Sequence, residues 1–195
     1  MGVRRGWLLF VVIGLLLAGC GGEGGGDPGV AEPTVESTSV AWPSRPRDVP
    51  IDGIDPCTLL TPQQRAELGL DRPPLNVPGA TALYGPNNAF CVINGFEQRS
   101  VTVAVMLVTT VGIERWTEGQ LDADVRRILV EDFPALVAVP RRYTDYCTVV
   151  VDISPGQLID VQVASGGRHR RIPQPQLCRD AEQVAGYVVT NLLSR

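Results

Sequence analysis

Apolar and polar positions alternate along the second half of the chain with two distinct periods. In "SVTVAVMLV", Val101, Val103, Val105 and Leu107 mark one face of a strand, and Ala104, Met106 and Val108 make the other face apolar too. A strand apolar on both faces belongs in the interior of a sheet covered on both sides. Phe90 to Glu97 and Ser100 to Thr110 read as a hairpin, although Gln98-Arg99 is not a favoured turn pair. Ile128 to Val130 and Ala135 to Val139 are further strand candidates. Cys147 to Ser154 and Leu158 to Ser165 flank Pro155-Gly156, a second hairpin signal. The period then changes. Ala181, Val184, Ala185, Val188, Val189 and Leu192 fall at helical spacing, so the chain closes on an amphipathic helix whose stripe belongs on a sheet.

Before the strands, Thr61-Pro62-Gln63-Gln64 has the order of a capping box with proline at the first helical position, and Gly69 is placed to end that helix. Residues 71–89 carry four Pro and two Gly and read as a loop, and residues 112–120, around Trp116, as a short helix. Helix, strands, helix in that order predicts an α+β fold, an antiparallel β-sheet flanked by N- and C-terminal helices.

The first fifty residues follow neither period. Arg4 and Arg5 precede the uncharged run "WLLFVVIGLLLA" at 7–18. A run this short falls below the roughly 20 residues of a membrane-spanning helix and suits the h-region of a secretory signal. Leu17-Ala18-Gly19-Cys20 resembles a bacterial lipobox, which implies cleavage before Cys20 and acylation of its thiol. Two or three acyl chains hold a protein on a membrane where one is marginal. Residues 21–50, rich in Gly, Pro, Ser, Thr and acid, read as a flexible tether with Trp42 incidental to it. The expected organisation is therefore a signal peptide at 1–19, a lipid-anchored linker at 20–50 and one domain at 51–195, on the outer face of the cell membrane.

Charge and cysteine change this picture in two ways. Without residues 1–19 the chain has 15 Arg against 21 acids, a net charge near −6, which argues against nucleic acid as a partner. Cys57, Cys91, Cys147 and Cys178 remain beside Cys20; an even number in an exported chain reads as two disulfides. None has a cysteine neighbour close enough for a zinc pair, so no metal and no cofactor is expected. Cys57 and Cys178 each lie near the start of a terminal helix and Cys91 and Cys147 each in a strand. The expected bridges are therefore Cys57–Cys178 and Cys91–Cys147.

"DPCTLLTPQQRAELGL", "CTVVVDISPGQLIDVQV" and "CRDAEQVAGYVVTNLL" together resemble a family of actinobacterial lipoproteins that carries only a domain-of-unknown-function label. The resemblance covers residues 51–195, with one departure at Val92, where an aromatic is expected after Cys91. It implies a lipid-anchored exported domain without established activity, with a fold similar to PsbP-like α/β/α sandwiches; fold alone does not give function.

Candidate chemistry is sparse. His169, the single histidine, is flanked by Arg168, Arg170 and Arg171 after Gly166-Gly167. Glycine N–H groups and arginine forks suit phosphate or carboxylate, while a solvated loop accounts for the same residues. Arg141-Arg142-Tyr143 and Asp145-Tyr146 form a second polar and aromatic stretch. Glu131-Asp132, read as strand neighbours, point to opposite faces and make poor acid–base partners. The leading expectation is a non-catalytic envelope module for binding or assembly, its partners the membrane and an envelope protein or small amphipathic ligand. A carrier would hold that ligand in an enclosed apolar cavity between sheet and helix. A carboxylate-dependent envelope hydrolase would show converging acids in a cleft.

Overall fold

The apolar alternation at 101–108 becomes β3 (Val101–Val108), third in a seven-stranded antiparallel sheet ordered β1-β2-β3-β7-β6-β5-β4. The computed structural model describes residues 41–97, 99–119, 121–167 and 170–195. β1 (Leu75–Thr81) and β2 (Gly85–Gly95) run into β3 as one meander. β4 (Ala123–Val130), β5 (Phe133–Pro140), β6 (Tyr146–Ser154) and β7 (Gln157–Ser165) form a second, which starts at the far edge and returns to pair β7 with β3. The segment joining the meanders carries the short helix α2 (Glu114–Thr117). The α+β class read from the sequence is the class of the fold.

One sheet face is closed by α3 (Gln174–Leu193), with α1 (Pro62–Glu67) beside it. Val103, Val105, Val149, Val151, Ile159, Val161 and Val163 point to this side and meet the α3 stripe of Leu177, Ala181, Val184, Ala185, Val188 and Val189. Each of these helix residues is 0% exposed. Burial of each Val or Leu side chain here contributes about 1.5–3 kcal/mol, so this layer is a main source of stability. The α1 capping box forms as read: Thr61 Oγ1 accepts from the Gln64 amide at 3.2 Å, and Gln64 Oε1 accepts from the Thr61 amide at 2.9 Å. Asn191 of α3 donates to Leu59 O and Gln64 Oε1, which ties the two helices together.

Four readings are corrected. First, the disulfides are Cys57–Cys91 and Cys147–Cys178, each with Cα atoms 5.0 Å apart, and not Cys57–Cys178 and Cys91–Cys147. β2 and β6 are separated by β3 and β7. Three strand spacings put Cys91 and Cys147 about 14 Å apart, beyond the reach of a disulfide. Each strand cysteine instead takes the helical partner lying over it, Cys57 in the 3-10 turn Pro56–Thr58 and Cys178 in α3.

Second, residues 71–89 are not a loop but hold β1 and the start of β2. β1 is an edge strand, so Pro78 needs a ladder partner on one side only. Gly79 lies where a Cβ would run into the Phe90 ring. Third, Glu131 and Asp132 form the two-residue β4–β5 turn with φ of 48° and 68°, the twist a tight hairpin requires. They are not strand neighbours. Fourth, part of the expected linker belongs to the folded unit. Trp42 and Arg45 donate to Asp152 at 2.9 and 2.6 Å, and the Val49 amide donates to Ile153 O at 3.0 Å.

Candidate functional site

The sheet face opposite α3 is built differently. Its residues on β7 are Leu158, Asp160, Gln162 and Ala164; across from them β6 presents Asp152, Val150, Thr148 and Tyr146. β5 adds Leu136, Ala138 and Pro140. A second apolar cluster covers part of this face: Ile113 and Trp116 from the crossing segment, Tyr84 from the β1–β2 turn, and Trp42 and Leu121 at its margins. Between this cover and the loop 141–145 an open cleft of about 490 Å³ remains. Leu83, Trp116 and Leu121 form one wall, Ala138 and Thr148 the floor, and Asp122, Arg142, Tyr143 and Tyr146 the opposite wall and rim.

Each wall is fixed by polar bonds. Trp116 Nε1 donates to Tyr84 Oη at 2.8 Å, and Tyr84 Oη donates to Asp160 Oδ2 at 2.7 Å. The indole is thereby tied to the middle of the central strand β7. Asn88, 2% exposed, clasps the turn and the crossing segment together: its amide nitrogen donates to Tyr84 O, and its oxygen accepts from the Thr109 amide. On the other wall, the rings of Tyr143 and Tyr146 lie 6.1 Å apart and tilted by 32°. Gln174, the first residue of α3, donates to Tyr143 O at 2.9 Å, and Cys147–Cys178 anchors the loop's end. At the rim, Arg142 Nε meets Asp122 Oδ2 at 2.8 Å, and Arg141 takes Asp124 at 2.8 and 2.9 Å.

Enclosure between Met106 and Val150 pushes the Asp160 carboxyl up to about 6, against the Tyr84 hydroxyl bond, which pulls it down. Burial and the neighbouring Asp160 push the Tyr84 hydroxyl up, so it stays a donor at neutral pH. Burial also raises Tyr146, with Tyr143 and Asp145 adding to it. A carboxyl raised in the folded state binds its proton more tightly there than in the unfolded chain. Its contribution to stability is complete below the ordinary Asp value near 3.8 and is lost as pH rises to about 6. Two units of pKa correspond to about 2–3 kcal/mol. Asp160→Asn keeps the acceptor for Tyr84 and removes the charge. It is expected to be more stable than the wild type by about 2 kcal/mol at pH 7.5 and to lose that advantage near pH 4, in urea titrations at the two pH values.

The residues singled out in the sequence divide between places. Cys20, Arg168 and His169 lie outside the described residues. Arg170 and Arg171 are exposed, and Arg171 Nη1 reaches Thr144 at 3.4 Å, which puts this segment behind the 141–146 loop. The Gly166 amide donates to Ser100 O at 2.8 Å, and a Cβ there would overlap the Ser100 side chain. That glycine serves close packing, and its N–H is not offered to an anion. Arg142, Tyr143 and Tyr146 do line the cleft. Sequence reasoning missed Tyr84, Asp160, Thr148 and Asp122. The available signal was in β7, where Ile159, Val161 and Val163 alternate with Asp160 and Gln162.

Among the described residues no group of three or more His, Cys, Asp or Glu is placed to hold a metal ion. No described helix is long and apolar enough to cross a membrane. Compared with known proteins, residues 15–191 match one family model, whose description is "Protein of unknown function (DUF3558)". No curated protein and no solved structure matches the chain.

Proposed function

The chain belongs to the DUF3558 family, and we propose that it is a lipid-anchored module of the cell envelope that binds a small ligand in the cleft opposite α3. The observation that carries this reading is the cleft itself: three aromatic side chains, Trp116, Tyr143 and Tyr146, around an open space of about 490 Å³. Binding sites are concave, mostly apolar and supplied with a few placed polar groups, and roughly 300–1,000 Å³ is their usual size. The tie from Trp116 through Tyr84 to Asp160 fixes one aromatic wall before any ligand arrives, which reduces the ordering cost of binding.

The extracytoplasmic part of the reading rests on the lipobox at Cys20 and on the two disulfides, which persist in oxidising compartments. The carrier variant, with a ligand between sheet and helix, is less favoured, because the α3 stripe is fully packed against the strands. A hydrolase variant would need acids converging on the cleft, whereas Asp122 is engaged by Arg142. Cys20→Ser tests the anchor. The wild type is expected in the membrane fraction with a mature mass beginning at residue 20 plus acyl chains. The variant is expected to lose the acyl mass, and an unchanged mass would refute the anchor.

A further inference from the structure

We propose that the cleft takes a neutral saccharide, one or two pyranose rings long, and this rests on reading the cleft as the ligand site. A pyranose ring has two apolar C–H faces and a belt of hydroxyl groups, each both donor and acceptor. The cleft has the matching division. Trp116, Tyr143 and Tyr146 line it with aromatic side chains, and Thr148, Asp122 and Arg142 with polar ones.

Thr148 is the most specific of these groups. It is 2% exposed, it lies on the floor of the cleft, and its hydroxyl makes no hydrogen bond to another described residue. No described buried side-chain polar atom lacks a partner, so this hydroxyl opens onto the cleft, where a sugar hydroxyl can meet it as donor or acceptor. Gln162 stands directly across from it on β7.

Charge narrows the class. Arg142 is answered by Asp122 and Arg141 by Asp124, so the rim offers paired donors and acceptors rather than a net charge. Such a rim neither draws an anion nor holds a lone cation, but it suits hydroxyl groups. An acyl chain is a poor fit for a different reason. Its affinity comes from continuous apolar enclosure, whereas this cleft is open along one side and edged with charge. The same opening lets a ring at the end of a longer glycan enter.

The test is saturation-transfer NMR on the full chain, held in a detergent without a sugar headgroup. The probes are maltose, cellobiose and N,N′-diacetylchitobiose, with decanoate and benzyltrimethylammonium in parallel samples. Tyr143→Ala removes an exposed ring, and Thr148→Val keeps the shape and removes the hydroxyl. Saturation of the ring C–H protons of at least one disaccharide is expected, with a loss of about fivefold or more in each variant. Silence from all three disaccharides would overturn the proposal, and so would a saccharide signal that neither variant changes. If decanoate or the ammonium probe is saturated and Tyr143→Ala abolishes that signal, the cleft is a ligand site of another class, and only the saccharide assignment falls. If no probe is saturated, the saccharide assignment falls together with its support from the cleft.

Discussion

Removing the Cys147–Cys178 bridge is expected to destabilise the domain by about 4 kcal/mol, and removing Cys57–Cys91 by about as much. The bridges close loops of 31 and 34 residues, and the entropy that each removes from the unfolded chain follows from those lengths. The pairing expected from sequence would have closed much longer loops and so would have had the larger entropic effect. Because the true loops are nearly equal, the two variants should shift the urea midpoint alike. Their effects on the cleft should differ. Cys147 follows Tyr146 directly, and Cys178 lies one turn beyond Gln174, which holds the Tyr143 carbonyl. The Cys147→Ser/Cys178→Ser variant should therefore lose ligand binding before it unfolds, whereas Cys57→Ser/Cys91→Ser should keep it. Equal loss of binding in both, at a denaturant concentration where both remain folded, would detach the bridge from the site.

Tyr84→Phe is expected to cost about 3 kcal/mol, although it deletes a single oxygen. That oxygen accepts from the Trp116 indole and donates to Asp160, so its loss leaves one donor and one carboxyl without their partner. Each orphaned buried group costs about 1–3 kcal/mol. The hydroxyl bond is the influence that lowers Asp160, so the variant also pushes that carboxyl further above 6. Its stability should therefore keep falling with pH beyond the point at which the wild type levels off. Urea titrations at pH 5 and pH 8 measure both effects. A variant as stable as the wild type at both values would show that the Trp116–Tyr84–Asp160 chain does not hold the wall of the cleft.

Much of this architecture was legible because local chemistry and tertiary context agree. Thr61, Pro62, Gln64 and Gly69 specify α1 by their own hydrogen-bonding and conformational preferences, and the valines of β3 and the stripe of α3 each report the period of their element. The misreadings share one cause, which is that they depend on which strands are neighbours. Cys91 and Cys147 both belong to strands, but nothing in their spacing shows that β3 and β7 stand between them. Pro78 and Gly79 look like loop residues because the tolerance of an edge strand is a property of the sheet. The cleft was legible only in part. Arg142, Tyr143 and Tyr146 were visible as a polar and aromatic stretch, but the Tyr84–Asp160 tie joins residues 76 positions apart. Long-range bonds of that kind leave no local pattern beyond an acid in an otherwise apolar strand.

The central claim is that the cleft opposite α3 is occupied where the protein works, and hydroxyl-radical footprinting tests it most directly. Labelling is compared between intact cells and the purified chain, and read side chain by side chain by mass spectrometry. Tyr143 and Leu75 are both 60% exposed, and Leu75 lies on β1, at the opposite edge of the sheet from β4, so one serves as the probe and the other as its control. The account predicts that Tyr143 and Tyr146 are protected several-fold in cells while Leu75 is labelled equally in both. Equal labelling of Tyr143 in cells and in isolation, or protection confined to Leu75, would contradict it.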